Sequence, residues 1–391
     1  MFQNLQRNKW LIAMSASGIH ICIGSIYAWS VLVLPIMQFT SWSLFSITSI
    51  FSIAILFLGL SAGYFGKYVE KYGATKSGLI ATTFFITGLL GSAFALSIQN
   101  IYLLYLFYGI FCGIGLGIGY ITPISTLVKY FPNNRGFATG LAIMSFGFAS
   151  MIAAPLMNYL VFTYGLVFNF ITLAIVYSVI MIISSLYLDS PEYVEKKKSV
   201  EPSEVYSSWQ FKALWHIFFI NIACGIGLLS IISPMAQEII GFSAERAASL
   251  VGIIGLVNGF GRIFWSSFSD YIGRGNIYIL FFALQVIAFF FLATTINEFI
   301  FEILILLIIS CYGGGFSCMP AYLSDIFGSS HLSQIHGRIL TAWGFAGIAG
   351  PALIAFGKQF LGSYELILYV FCSLFVLNLI VAYILKENGK K

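Results

Sequence analysis

Apolar residues run in long blocks along this chain, and polar residues collect in short breaks between them. Twelve blocks stand out, at residues 10–36, 44–66, 76–98, 101–130, 136–160, 166–188, 213–239, 245–269, 276–296, 299–325, 335–357 and 364–386. Each is long enough for a helix to cross about 30 Å of hydrocarbon, which takes about 20 mainly apolar residues. A membrane β-barrel would show alternating segments of only ~10 residues. The pattern predicts an all-α membrane protein with twelve transmembrane helices. The break at 189–212 is the one long polar stretch. It divides the chain into an N-terminal six-helix bundle (1–188), a cytoplasmic linker (189–212) and a C-terminal six-helix bundle (213–391).

Composition supports this. Of 391 residues, 59% are hydrophobic and 8% charged, whereas soluble domains are about a quarter charged. The first apolar block is too long for a signal-peptide core and has no small-residue cleavage site, so it should stay as the first span. Lys and Arg give the orientation. With the N-terminus in the cytoplasm, sixteen of the nineteen fall in inside loops and tails, and only Arg246 and Lys358 outside. The expectation is a multi-pass cell-membrane protein with both termini cytoplasmic. The run Lys196–Lys198 is interleaved with glutamates and reads as a solvated linker, so no nucleic acid is expected. The six cysteines lie in apolar blocks without metal-ligand spacing. No Gly-Lys-Ser/Thr phosphate loop exists to use ATP. Neither a cofactor, a metal nor an enzyme's catalytic constellation is implied.

The halves repeat. Gly66-Lys-Tyr-Val-Glu70-Lys71-Tyr-Gly73 is echoed 200 residues later by Ser266-Ser-Phe-Ser-Asp270-Tyr-Ile-Gly273-Arg274. Pro35 to Gln38 matches Pro234 to Gln237, Gly147-Phe-Ala-Ser150 with Pro155 matches Gly344-Phe-Ala-Gly347 with Pro351, and Pro123 matches Pro320. Parallel repeats of this kind place a substrate site near the midplane, between two pseudo-symmetric bundles.

Arg262 is the nineteenth basic residue and lies inside the eighth span, eight residues before Asp270. At 1.5 Å per residue that is ~12 Å from the helix end. An arginine at such depth is unfavourable by at least ~2.5 kcal/mol and stays protonated. All fourteen acids fall in loops or near helix ends, Glu238 and Asp325 coming closest. One reading is that a substrate carboxylate supplies the missing charge, matched to the guanidinium as a two-donor fork. The other is an arginine held by carbonyls, water or an acid at a different depth. Asn258 shares its helix face and either orients the guanidinium or bonds to a neighbouring helix. His20, in the first span, is a proton-coupling candidate because histidine titrates near neutral pH. Its first reading is a hydrogen-bonded polar residue facing a neighbouring helix. Glu70, Lys71, Arg135, Asp270, Arg274 and Arg338 cluster in cytoplasmic loops as a candidate gate of ion pairs, or simply as topology signals. The glycines at 109, 113, 115, 117 and 119 suit close helix packing.

Two tight loops, each with an acidic residue followed three positions later by Gly, separated by a six-helix block, resemble the major facilitator superfamily (MFS fold). Tyr27-Ala-Trp29-Ser30, Gly113-Ile-Gly-Leu-Gly117-Ile-Gly119-Tyr120, Tyr130-Phe-Pro132-Asn-Asn-Arg135-Gly136, Asn258-Gly259-Phe-Gly-Arg262 and Tyr312-Gly-Gly-Gly-Phe316 are together similar to its oxalate/formate antiporter-like and monocarboxylate transporter group. The resemblance implies that Arg262 binds a carboxylate, Asn258 supports it, and Tyr27, Tyr120 and Tyr312 line the cavity. Trp343 stands where the oxalate exchanger pattern has a lysine, which weighs against a dianion. Asn258 stands where animal carriers have an acid tied to proton coupling. The implied function is secondary transport of a small monocarboxylate such as lactate or formate, by proton symport or anion exchange. The partners are then the anion, a proton or counter-anion, and the lipid bilayer. The alternatives are a carrier of a dicarboxylate such as oxalate or of another solute, and a transporter-like receptor that does not transport.

Overall fold

The computed structural model describes residues 7–189, 201–361 and 363–388. Lys196–Lys198, with the rest of 190–200 in the linker, and Lys390 and Lys391 lie outside the described residues. Twelve long helices are present among those described: α1, Lys9–Thr40; α2 and α3, which share the run Leu44–Ser97; α4, Ile101–Tyr130; α5, Arg135–Tyr164; α6, Leu166–Tyr187; α7, Trp209–Glu238; α8, Ala244–Ile272; α9, Arg274–Thr294; α10, Glu298–Phe327; α11, Leu332–Leu361; and α12, Tyr364–Asn388. All are long and apolar enough to cross a membrane, with α2 and α3 joined in one run.

Local chemistry sets where these helices begin and break. Gly73 separates α2 from α3 at φ 78°, and Gly273 separates α8 from α9 at φ 86°. Left-handed backbone there favours glycine, and both sit three residues after the acid of their loop. Ser43, Ser208, Ser243 and Asn297 cap their helices by accepting a backbone N–H, which satisfies a donor that the first turn leaves free. The linker's end differs from expectation. It forms a short helix, Pro202–Ser207, because Pro202 occupies the first turn where its missing N–H does no harm. Two spans are less regular than their apolar runs suggest. α1 passes through a 3-10 turn at Ser25–Ala28, and α4 has a π-helical stretch at Tyr105–Cys112.

The helices form two six-helix bundles. In the first, α3 packs on α4 and α6 through glycines, with Gly115 against Phe85 and Gly78 against Ser185. The second has the same plan, with α7 on α11 and α9 on α12. The bundles touch through two crossings related by the repeat, α2 with α11 and α5 with α8. Large apolar side chains such as Phe162, Ile183, Phe264 and Ile380 point outward all round. A bilayer is the solvent that such a surface requires.

Candidate functional site

Between the bundles lies a cavity of about 790 Å³. It opens at the end of the molecule away from the termini. Its walls carry hydroxyls on four helices, among them Ser30, Ser52, Ser150 and Ser230, set among apolar residues such as Ile226 and Val251. Its deep end is formed by Tyr27, Asn258, Tyr312 and Trp343.

Arg262 lies just behind this wall and is 1% exposed. Its Nε donates to Asn258 Oδ1 at 3.3 Å, one turn away on α8, and its Nη1 donates to the Ile143 carbonyl of α5 at 3.0 Å. Nη2 has no partner. The Phe316 ring lies 5.5 Å from Cζ, within reach of a cation–π contact. Among the described residues no ion pair is formed by Arg262. A buried ion without a counter-charge is unfavourable by several kcal/mol, and one carbonyl and one amide oxygen offset only part of that. Glycines make the room. A methyl group on Gly313 of α10 would come within 2.6 Å of Asn258 Oδ1, and one on Gly147 of α5 within 3.4 Å of the guanidinium carbon. Ser317 of α10 donates to the Arg262 carbonyl at 2.6 Å and fixes the backbone beneath the charge.

Other buried donors surround this guanidinium. Tyr27 Oη, Tyr120 Oη and Trp343 Nε1 have no partner in hydrogen-bond geometry. Phe146 joins their rings, with centroids 5.3 Å from Tyr27, 5.3 Å from Tyr120 and 5.8 Å from Trp343. Unpaired buried polar groups are rare in folded proteins. Here four of them, the Arg262 Nη2 included, are all able to donate. The site thus converges donors on the guanidinium, with only the phenol oxygens of Tyr27 and Tyr120 able to accept as well, an arrangement that suits a carboxylate.

The end carrying the termini is shut. Asp270 accepts from the backbone N–H groups of Gly136 and Phe137, both at 3.0 Å, and so caps α5 from the other bundle. Arg274 pairs with Asp270, and it approaches Asp325 to 3.5 Å. Arg135 meets Asp325 at 3.3 Å and Ser324 Oγ at 3.1 Å. At the related crossing, Glu70 accepts from the Ser333 N–H at the start of α11 at 2.8 Å and pairs with Lys129 at 3.1 Å. A carboxylate at a helix N-terminus is stabilised by the free N–H groups and by the helix dipole.

A family model for the Major Facilitator Superfamily matches residues 14–351. The chain belongs to that superfamily. It is a transporter-family protein and not an enzyme. The uncharacterized MFS-type transporter YhjX of Escherichia coli (strain K12) is 25% identical, the match covering 88% of this chain and 87% of that one. The oxalate:formate antiporter of Oxalobacter formigenes is 24% identical, over 88% of this chain and 84% of that one. Monocarboxylate transporter 10 of Homo sapiens is 23% identical, over 78% of this chain and 62% of that one. Among solved structures, the fucose:proton symporter FucP of Escherichia coli shares the fold with a TM-score of 0.78 at 13% identity, over 97% of this chain and 99% of that one.

Arg262, Asn258, Tyr27, Tyr312 and Trp343 come together at the cavity floor. Tyr120 does not line the cavity. It is fully buried, with His20 stacked on one side at 5.2 Å and the Trp343 edge on the other at 5.3 Å. His20 is fully buried too, against the Tyr120 and Ala142 carbonyls. Of the six gate candidates, Glu70, Arg135, Asp270 and Arg274 meet in the closed end. Lys71 and Arg338 are corrected. Among the described residues neither forms an ion pair, because both point outward and lie over rings, Lys71 over Tyr72 and Arg338 over Tyr206. Three participants escaped the sequence reading. Lys129 completes the Glu70 pair, Thr139 donates across the bundles to the Ser317 carbonyl at 2.7 Å, and His336 is buried with Nδ1 unpartnered. His336 lies at the polar start of its block, between Gln334 and Arg338, where the sequence pattern gives no signal of burial.

Proposed function

We propose that the chain is a secondary transporter of a small monocarboxylate anion, of the lactate or formate kind, working by alternating access. Residues 1–188 and 213–391 rock against one another about the cavity floor. With the termini in the cytoplasm, as the Lys and Arg distribution argues, the cavity faces outside and the closed end faces inside.

One observation carries the reading. Arg262 keeps its charge in a dry site where the described residues bring no acid, and its free Nη2 stands among other unpaired donors. A carboxylate would supply two acceptor oxygens and the missing charge together. Tyr27 and Tyr312 would flank the cargo and Asn258 would hold the guanidinium's plane. The relatives named for oxalate:formate and monocarboxylate transport support the chemical class. Trp343 favours a single charge over two, since it adds one indole N–H and no second cation.

A thermal-shift panel of formate, acetate, pyruvate, L-lactate and oxalate on the wild type and Arg262→Gln tests this. Monocarboxylates should stabilise the wild type. Arg262→Gln should bind them at least ~30-fold more weakly, the scale for removing one partner of a buried charged pair. Equal stabilisation of both proteins would refute the assignment. Uptake of the labelled acid into liposomes separates a carrier from a receptor, which would bind without accumulation.

A further inference from the structure

A second ionisable group beside Arg262 is left unused by carboxylate binding alone. His20 Nδ1 lies 2.7 Å from the Ala142 carbonyl oxygen of α5, and Nε2 lies 3.2 Å from the Tyr120 carbonyl oxygen of α4. Both partners are acceptors. A neutral imidazole has one N–H and one lone pair, so it serves one carbonyl and turns its lone pair on the other. The imidazolium has two N–H groups and serves both. The cage is therefore shaped for the charged ring.

Burial opposes that state first, because a charged ring out of water is unfavourable, and neighbouring positive charge adds to it. Arg262 of α8 is a near neighbour, since its Nη1 bonds the Ile143 carbonyl and His20 Nδ1 meets the Ala142 carbonyl, on successive peptide units of α5, and His336 of α11 lies 6.1 Å from the Tyr120 ring. α4 adds the Tyr120 ring, stacked at 5.2 Å. α5 brings Phe146 edge-on at 6.1 Å, and its ionisable residues lie near its ends. The α6 tyrosine at this level, Tyr177, faces Cys22 and Ser25 instead. No described acid is on this list, so the charge balance at His20 depends on what sits on Arg262.

We propose that His20 is a proton-binding site coupled to the anion site. A carboxylate on Arg262 cancels that guanidinium's share of the opposition and brings a negative charge beside the cage, and His20 then takes one proton from solvent. This rests on the carboxylate reading and deepens it, selecting symport over exchange. Linkage is reciprocal, so a proton on His20 tightens anion binding by the same factor. The loaded site holds Arg262 and His20 as cations and one anion, the same net charge as the empty site with neutral His20. Loaded and empty carriers therefore cross with equal charge, and transport is electroneutral. His20 touches no cargo. It is a coupling residue, and Asn258, which cannot titrate, has no share in the step.

Calorimetry of the full chain near neutral pH, in phosphate and in Tris, counts protons taken up with formate, acetate, pyruvate or L-lactate. The wild type should take up close to one proton per anion bound, with affinity falling about tenfold per pH unit once His20 must be protonated by binding. His20→Gln should bind the same acid without proton uptake and with a flat pH profile, while His336→Gln keeps the uptake. Nitrogen-15 spectra of the four histidines are free of variants and decide if His20→Gln does not fold or bind. One ring should turn from neutral to imidazolium as the acid is added. Binding without proton uptake in the wild type, or uptake that persists in His20→Gln, overturns the coupling and leaves the carboxylate site standing. Failure of the wild type to bind any acid in the panel overturns the carboxylate reading first, and the coupling with it.

Discussion

The two ends of the molecule use charge in opposite ways. At the end with the termini, polar bonds cross from one bundle to the other. Asp270 caps α5, Glu70 meets the start of α11, and Arg135 reaches Asp325 on α10. At the cavity end, Arg246 pairs with Glu298 and Glu302, which joins α8 to α10 inside one bundle. The same crossings that touch below part above. The shut end is therefore held by bonds between the halves, and the open end has ion pairs that stiffen one half. A carrier needs the first kind to be breakable, and few charge-assisted bonds at a wetted edge meet that need better than a wide apolar seam.

That contrast can be broken at graded strength. The reporter is Ser52→Cys on the cavity wall, read by a water-soluble thiol reagent. Background is low, because five native cysteines are buried and Cys372 is partly so. Gly136→Val should act most strongly, since any Cβ there collides with the Ser266 carbonyl and backbone cannot yield. Overpacking typically costs ~1–3 kcal/mol and a clash with rigid backbone falls at the upper end, enough to lower Ser52→Cys labelling by ~100-fold as the shut end opens and the cavity closes. Asp270→Asn should lower it less. Removing the charge from two backbone N–H bonds and the Arg274 pair is worth ~1.5–3 kcal/mol, or roughly 10–100-fold. Glu70→Gln, with one N–H bond and a half-wetted Lys129 pair, should shift labelling only several-fold. Lys71→Gln is the control and should stay within ~0.5 kcal/mol of wild type. A larger effect from Lys71→Gln than from Asp270→Asn would invert the assignment of the closed end.

Much of this was legible beforehand for reasons that differ between residues. The spans follow from apolar run length, and the Gly73 and Gly273 turns from a repeated acid-to-glycine spacing. Arg262 could be placed at depth by distance from Asp270, and its lack of a partner by surveying every acid. Facing could not be read. Tyr120 and Tyr312 look alike in sequence, yet one is sealed behind Trp343 and the other meets the cavity. Lys71 and Glu70 are neighbours on one helix, and a 100° rotation sends one to the bundle seam and the other outward. The two-carbonyl cage of His20 depends on backbone atoms of α4 and α5, which side-chain pattern does not encode. The glycines at 113, 115 and 117 do sit at close contacts, against Ala54, Ala81 and Leu58.

The bond from Arg262 Nη1 to the Ile143 carbonyl belongs half to each bundle. Any movement that slides α8 off α5 at that depth strips the guanidinium of an acceptor. An unladen protein would then carry a bare cation through a dry passage, while one holding an anion would not. On the transport reading, the empty carrier would return more slowly than the loaded one crosses. Labelled acid should accordingly swap across a vesicle wall faster than it drains out, and equal speeds would show that Ile143 has no part in slowing the empty return.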